Sequence, residues 1–412
     1  MAESIVPVVL EPRDGVFLKD GRGWCTSESN RAGSLSWPFG TTVRGALRAG
    51  LGYAVESDRG QPLGRREWLP LNEDVEVSAV LPLAREPGSM WTEASRHWPA
   101  PLDALLLDDQ QHAIPLAPAA QAATILPLDD DPEAIATASL AHPAHAAGAG
   151  KPLAMPRFWP DEPFLHWLCG RPVDRRTLQA AAQPVSRLQT HVSIDATTGT
   201  AAEGKLFSGS VVEPHARVGD AGIVEWSFAA VSRTLGEARG NTLADRNVKL
   251  GGDGRTARCA PLPESLFAMP DTLAKAFDAG SIGIRLVLVG PAAFDAGWRP
   301  ATLEPVENHF VGSFAGLDDV VLHAACVGRP VHVSGWNVAE GVPKATRRLA
   351  PAGSVYFLTR RSGQPFTAAD ARAVWLASVG EPADRPDRLG AVVPGIWNPA
   401  PEILATLGRT AS

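Results

Sequence analysis

Cysteine is sparse in this chain of 412 residues. Cys25, Cys169, Cys259 and Cys326 stand far apart with no C-x-x-C pair, which argues against both a disulfide framework and a zinc site and leaves reduced packing residues as the expectation. A basic excess is also missing. The net charge is −7 and the pI near 5.8, so the chain is not coated in nucleic acid, and any RNA contact must be local. No run of about 18 apolar residues could cross a membrane, and the start Met1 to Pro7 lacks the basic flank and apolar core of a signal peptide. The expected location is the cytoplasm, with no membrane partner. H-E-x-x-H, G-x-S-x-G, the P-loop pattern and the kinase set are all absent. Lysine is scarce, so most of the 38 basic residues are arginine, a bias that suits phosphate contacts but that a GC-rich genome also produces.

What is present reads as an ordinary globular composition, 45% hydrophobic and 20% charged, at a length that suits two domains. The apolar, β-branched residues 5–10 read as a strand, with Pro7 suggesting an edge position or a bulge. Residues 16–18 lead into a turn, a helix follows over 41–51, and the alternation of Val75 to Leu81 fits a half-buried strand. Shorter apolar pieces surround Leu105 and Ile114. From about 115 to 156 the chain is rich in Ala and Pro, with an acidic knot at Asp129 to Asp131, and reads as an insertion. Phe164, Trp167 and Leu168 suggest a short helix ended by Gly170 and Pro172. Residues of about 187–213 read as a hairpin with a long tip, and 223–231 as another strand. Beyond about 270, strands over 282–289, 320–327, 331–336 and 348–358 and a helix over 369–377 suggest a second α+β unit, with antiparallel sheets carrying helices on one face.

Three segments carry residues suited to anions or bases. In Trp37 to Arg48, Pro and Gly precede two threonines that could cap a helix, and Arg44 and Arg48 fall four apart beside Gly45 while Val43, Ala46 and Leu47 supply a buried side. A phosphate cradle and a plain capped amphipathic helix both fit. In Lys249 to Arg255, Gly251 and Gly252 allow close backbone approach between two cations, Lys249 and Arg255, which fits a phosphate nest or a simple hairpin turn. The hairpin presents His191, Thr197, Thr198, Lys205 and Phe207, the mixture of donors, cation and ring that holds single-stranded RNA. The alternating position of Phe207 favours burial in the core, so Lys205 is the stronger contact.

Taken in order, Glu11 to Arg22, Trp37 to Arg48, His191 to Phe207, Leu250 to Arg255 and Ala350 to Phe357 resemble the RAMP superfamily of CRISPR proteins, and within it the family of the third subunit of the Cmr (type III-B) effector complex. The resemblance spans nearly the whole chain. It implies two ferredoxin-like domains related to RNA-recognition motifs, here 1–265 with the 115–156 insertion and the hairpin, and 266–412. It further implies a non-catalytic subunit that binds the 5′ tag of the CRISPR RNA, caps the backbone filament, and docks against the large polymerase-like subunit and the first backbone RAMP subunit. Phosphate and backbone contacts fall to Arg44, Gly45, Arg48, Lys205, Lys249, Gly251, Gly252 and Arg255, with His191 and Phe207 as candidate base contacts. At Arg388 to Trp397, where RAMP proteins often carry a glycine-rich loop, only Gly390 and Gly395 remain around Pro394, so a packing turn fits as well. A RAMP endoribonuclease that uses one histidine, or a scaffold that contacts protein alone, are the alternatives. His142 and His145 lack acidic neighbours, and His191, His215, His309, His323 and His332 lie in or near strands, so the expectation is no catalytic centre, no metal and no cofactor.

Overall fold

The computed structural model describes residues 7–21, 33–68, 75–118, 141–143, 150–218, 222–232, 237–306, 309–337, 342–381 and 389–407. Most of the described strands pair in two large antiparallel sheets.

Strand β1 (Val8–Pro12) lies in the middle of the first sheet, not at the edge that Pro7 suggested. Pro7 precedes the ladder and contributes only its carbonyl, which accepts from the Leu262 amide at 3.0 Å, so its missing N–H costs nothing. Strands Gly222–Val231 and Thr256–Pro261 flank β1. A second short strand, β2 (Val16–Phe17), leaves this sheet to pair with the hairpin. Helix α1 (Gly40–Arg59) returns the chain to β3 (Ala79–Arg85), which pairs with the far side of Gly222–Val231. Helix Glu237–Thr242 leads into Arg246–Lys249 and from there into Thr256–Pro261. The pleat divides the sheet between two cores. Val8 and Leu10 pack with Val43, Leu47 and Leu51 of α1, while Val9, Leu81, Leu83 and Ala229 face Trp98, Trp159 and Phe267. With cores on both sides, β3 is buried along its length up to Arg85, where the sequence suggested a half-buried strand a few residues earlier.

The second sheet runs in the order Leu303–Val306, His309–Phe314, Leu317–Cys326, Val355–Arg360, Gly283–Leu288, Ala391–Trp397, Ala377–Ser378. Its interior strand Gly283–Leu288 is entirely buried. Helices Asp271–Asp278 and Ala368–Val374 pack against one another beside this sheet. The segment read as one strand over 348–358 splits into Arg347–Leu349 and Val355–Arg360. Gly353 turns between them at φ +90°, where a Cβ would lie 2.3 Å from the Ala100 carbonyl oxygen. The stretch before Trp397 is a buried strand, Ala391–Trp397, and not a packing turn, because Gly395 lies in the ladder opposite Arg285. A Cβ there would meet the Arg285 Nε at 2.9 Å and the Leu168 carbonyl oxygen at 3.1 Å.

Residues 91–118 and 150–178 fill the space between the sheets. Helix Asp161–Leu168 forms where its aromatic spacing suggested, and Gly170 ends it at φ +67°. Trp98 stacks on Phe164 at 5.2 Å and gives its indole N–H to Asp161 Oδ1 at 2.7 Å. Buried Arg96 donates to Asp161 Oδ2 and to the Leu266 carbonyl, both at 2.7 Å. Fully buried Asp103 accepts from Trp167 Nε1 at 2.8 Å and from Arg285 Nη1 at 2.6 Å, and Arg285 Nη2 donates to the Trp167 carbonyl. Of the 115–156 insertion, Ile114–Pro118 pairs with Ala141–Pro143. Asp129 to Asp131 and His145 lie outside the described residues, as does Cys25. Cys169, Cys259 and Cys326 are free thiols, and burial pushes Cys259 and Cys326 up to about 12.

Two histidines are enclosed in these cores. Burial lowers His97 to about 4 despite the carbonyl of Ser95 beside its Nδ1. Burial and the neighbouring His309 lower His323 to about 3, with its Nε2 2.9 Å from the Thr359 hydroxyl. Both rings are neutral in the fold and must charge on unfolding below their ordinary value near 6.5. Their contribution is therefore complete above that value and is lost as pH falls through about 4 and about 3. Denaturant titrations should show roughly 3 kcal/mol of pH-dependent loss from His97 alone between neutral pH and pH 4, and a His97→Gln/His323→Gln variant should show a flatter pH profile.

Candidate nucleic-acid interface

Helix α1 begins one residue ahead of the threonines. Phe39 is its N-cap residue, with extended backbone and no side-chain hydrogen bond, so neither Thr41 nor Thr42 serves as the cap the sequence suggested. The helix start is also covered. Gly40 is buried where a Cβ would lie 2.2 Å from the Val77 carbonyl oxygen and 2.9 Å from Leu389, so the first turn faces protein and is not an open anion cradle. The cationic face lies further along and survives. Val43, Ala46 and Leu47 are buried as expected, while Gly45 is exposed with nothing within 4 Å of the space a Cβ would take. Arg44 and Arg48 are half-buried beside it. Arg44 Nε donates to the Val75 carbonyl at 2.6 Å. Arg48 Nε is buried without a hydrogen-bond acceptor, and burial together with repulsion from Arg44 lowers the Arg48 pKa.

The glycine loop and the hairpin come together around Phe17. Residues 250–255 close the turn between Arg246–Lys249 and Thr256–Pro261, with positive φ at Gly251, Asp253 and Gly254. The close approach that the glycines permit is to this chain itself. A Cβ on Gly251 would lie 2.4 Å from the Phe17 carbonyl oxygen, one on Gly252 would lie 2.9 Å from the Phe17 ring, and the Gly252 amide donates to Phe17 O at 2.9 Å. Nor is Arg255 an open cation. Its guanidinium pairs with Asp14, reaches Asp253 at 3.3 Å and donates to Gln189 Oε1 of the hairpin at 2.9 Å. Gly251 and Gly252 therefore seat the loop on Phe17 of β2 and Arg255 ties it to the hairpin, whereas Lys249 is exposed at the end of its strand. The sequence carried no signal for this clasp, because Asp14, Gln189 and Arg255 are far apart in the chain.

Strands Ser186–Ile194 and Ala201–Val212 form the hairpin, with a register shift between Ala201 and Leu206. Asp195 accepts from the amides of Thr197 and Thr198 and holds the tip in a tight turn. Phe207 is not a core residue. It is half-buried opposite His191, and the two rings stack at 5.0 Å and 13° on a hairpin that is exposed over most of its length. Leu188, Val192, Ile194 and Leu206 are exposed on the other face. Lys205 belongs to the second strand, and its side chain lies outside the described residues.

Over its central strands the first sheet leaves neither face open to bases. Its two faces carry the cores described above, and at its rim Arg85 pairs with Glu11 and Glu225 and covers Trp91 at 3.7 Å, while Arg258 pairs with Glu11 and Asp245. Among the described residues, no group of three or more His, Cys, Asp or Glu side chains is placed to hold a metal ion, and no helix is long and apolar enough to cross a membrane.

A model of the CRISPR-associated protein (Cas_Cmr3) family matches residues 8–385, from the first residue of β1 almost to the strand Ala391–Trp397. The chain belongs to the Cmr3 family. All five segments that carried the resemblance fall inside the matched span. Among solved structures, a chain of the type III-B Cmr-β complex bound to cognate target RNA and AMPPnP, in state 1, is 11% identical, with 85% of this chain and 86% of that one covered at a TM-score of 0.44. A chain of the same type of complex bound to cognate target RNA is 12% identical over the same shares, at a TM-score of 0.42. No curated protein matches the sequence.

The clasp around Arg255 makes a structural prediction for this Cmr3-family chain. Arg255→Gln should release the loop from Asp14 and Gln189 and destabilise the fold by about 1 kcal/mol in a denaturant titration. It should not behave as the loss of a surface cation that leaves stability unchanged.

Proposed function

We propose that this Cmr3-family chain is a non-catalytic RNA-binding subunit of a type III-B CRISPR interference complex in the cytoplasm, one that grips the 5′ tag of the CRISPR RNA. In this reading it caps the backbone filament and docks against the large polymerase-like subunit and the backbone RAMP subunit. Family membership supports the setting. The strand order supports two ferredoxin-like units: in the first sheet, Thr256–Pro261, β1, Gly222–Val231 and β3 are neighbours in that order, with a helix between β1 and β3. In the second sheet, Ala391–Trp397, Gly283–Leu288, Val355–Arg360 and Leu317–Cys326 repeat this order. There the first crossover carries strands in place of a helix, and helix Asp271–Asp278, which precedes the sheet, packs against Ala368–Val374.

The observation that carries the reading is the arginine pair on α1. Half-buried Arg48, repelled by Arg44 and holding a buried Nε without an acceptor, is a cation that an anion would relieve. Gly45 beside them leaves room for a nucleic-acid backbone to come close. Lys249, on a strand packed beneath α1, adds a cation and the His191–Phe207 stack a ring face, with Lys205 on the same hairpin. With both faces of the central strands covered, RNA is held outside the sheet, on α1, Lys249 and the hairpin.

Arg44→Gln/Arg48→Gln should lower the affinity for tag RNA at least tenfold in a filter-binding assay. The slope of log affinity against log salt should shrink by about 0.7 for each phosphate that the variant no longer neutralises. Gly45→Ala separates binding from folding: it should raise stability by about 1 kcal/mol and still weaken RNA binding. Unchanged RNA affinity in both variants would overturn the reading. Cleavage of repeat RNA in EDTA that disappears on His191→Ala would identify an endoribonuclease instead.

A further inference from the structure

A cleft of about 470 Å³ opens between the two sheets. Trp37, Val80 and Phe158 of the first unit form one side and Val289 and Pro291 of the second form another. Its chemistry is unusual for a site in an RNA-binding chain. Pro38, Pro99, Pro156, Pro291 and Pro351 all line it, and none of them can offer an N–H. The indole N–H of Trp37 is taken by the Val80 carbonyl at 3.0 Å. Arg157 is the one charged residue of the described lining, and no carboxylate stands with it there. Its guanidinium lies over the Phe158 ring at 4.9 Å and gives one N–H to the Ser36 carbonyl at 2.8 Å. Arg157 stays exposed at the cleft wall, and the apolar groups packed around it push its pKa down to about 10 with no anion acting to raise it again.

We propose that this cleft receives an anchor from a protein partner: a bulky apolar side chain seated among the prolines, next to an Asp or Glu that pairs with Arg157. The charge is complementary, and the volume lies within the range of pockets that enclose a ligand. A nucleotide fits the same space poorly. Its phosphate and base edge need several donors and acceptors, whereas the side chains of the walls offer one guanidinium and the Ser36 hydroxyl among prolines and rings. The inference rests on the reading of this chain as a subunit of a Cmr assembly, yet it concerns a surface separate from Arg44, Arg48 and the hairpin.

The test uses the assembled complex. Leu102 is 38% exposed and lines the cleft, so Leu102→p-benzoylphenylalanine places a photocrosslinker there. Irradiation should crosslink a peptide of one Cmr subunit in which Leu, Ile, Met, Phe or Trp neighbours an Asp or Glu. Arg157→Glu should then lower the affinity of this chain for that subunit at least tenfold, and Lys at the partner's acidic position should restore it. Arg157→Gln should weaken the same affinity less, with an unchanged thermal melt and unchanged affinity for tag RNA. Crosslinking to RNA, or an affinity for the subunit that Arg157→Glu leaves intact, would overturn the cleft assignment while the arginine pair on α1 stands. Failure to copurify with any Cmr subunit would overturn both.

Discussion

The arrangement of the whole molecule depends on two buried charge clusters in the segment between the sheets. Asp103 joins Trp167 to Arg285 in the second sheet, and Asp161 joins Arg96 and Trp98 beside Leu266. A buried ion pair adds little net stability over apolar packing, but removal of one partner leaves a bare charge in a low dielectric, at a cost of about 3–5 kcal/mol. Such clusters define geometry, because each carboxylate is satisfied in one arrangement only. Burial raises the pKa of Asp161, and its bonds to Arg96 and Trp98 oppose that shift. Through these contacts the chain between β3 and the hairpin sets how the two sheets lie against one another.

That filling has a functional consequence. An RNA-recognition sheet commonly leaves a face open for bases to stack on, whereas here both faces of the first sheet's central strands are occupied. In the proposed reading RNA is therefore met outside the sheet, where α1 carries its arginines and the hairpin carries its stacked rings. In that reading, local concentration of positive charge would reconcile an acidic chain with a polyanionic partner. Much of the remaining arginine is engaged in internal pairs, as Arg85, Arg96, Arg255, Arg258 and Arg285 illustrate.

Much of the secondary structure was legible because periodicity and turn chemistry are local. The hairpin, helix Asp161–Leu168 and the interior strand Gly283–Leu288 appear close to where their patterns suggested them. The errors share one origin. Pro7 suggested an edge, Phe207 suggested core, Arg255 suggested a free cation and Gly251 suggested an approach by a ligand. Each depended on a neighbour distant in the chain: the Leu262 amide, the His191 ring, Asp14 with Gln189, and Phe17. The arginine pair was legible because its i,i+4 spacing lies within one helix. The apolar cleft was not, because its walls come from five or more separate stretches of chain.

The sequence alone determined the inventory: antiparallel strands with helices between them, an acidic chain whose cations are mostly arginine, and a series of segments ordered as in the Cmr3 family. Those properties follow from residue type and near-neighbour spacing, which act over a few residues. Only the tertiary structure decided which arginines are engaged in pairs within the fold, that Arg48 holds a buried Nε with no acceptor, which glycines admit their own chain, and which sheet faces are closed. Burial and charge pairing are set by groups tens to hundreds of residues apart, and a linear pattern contains no term for them.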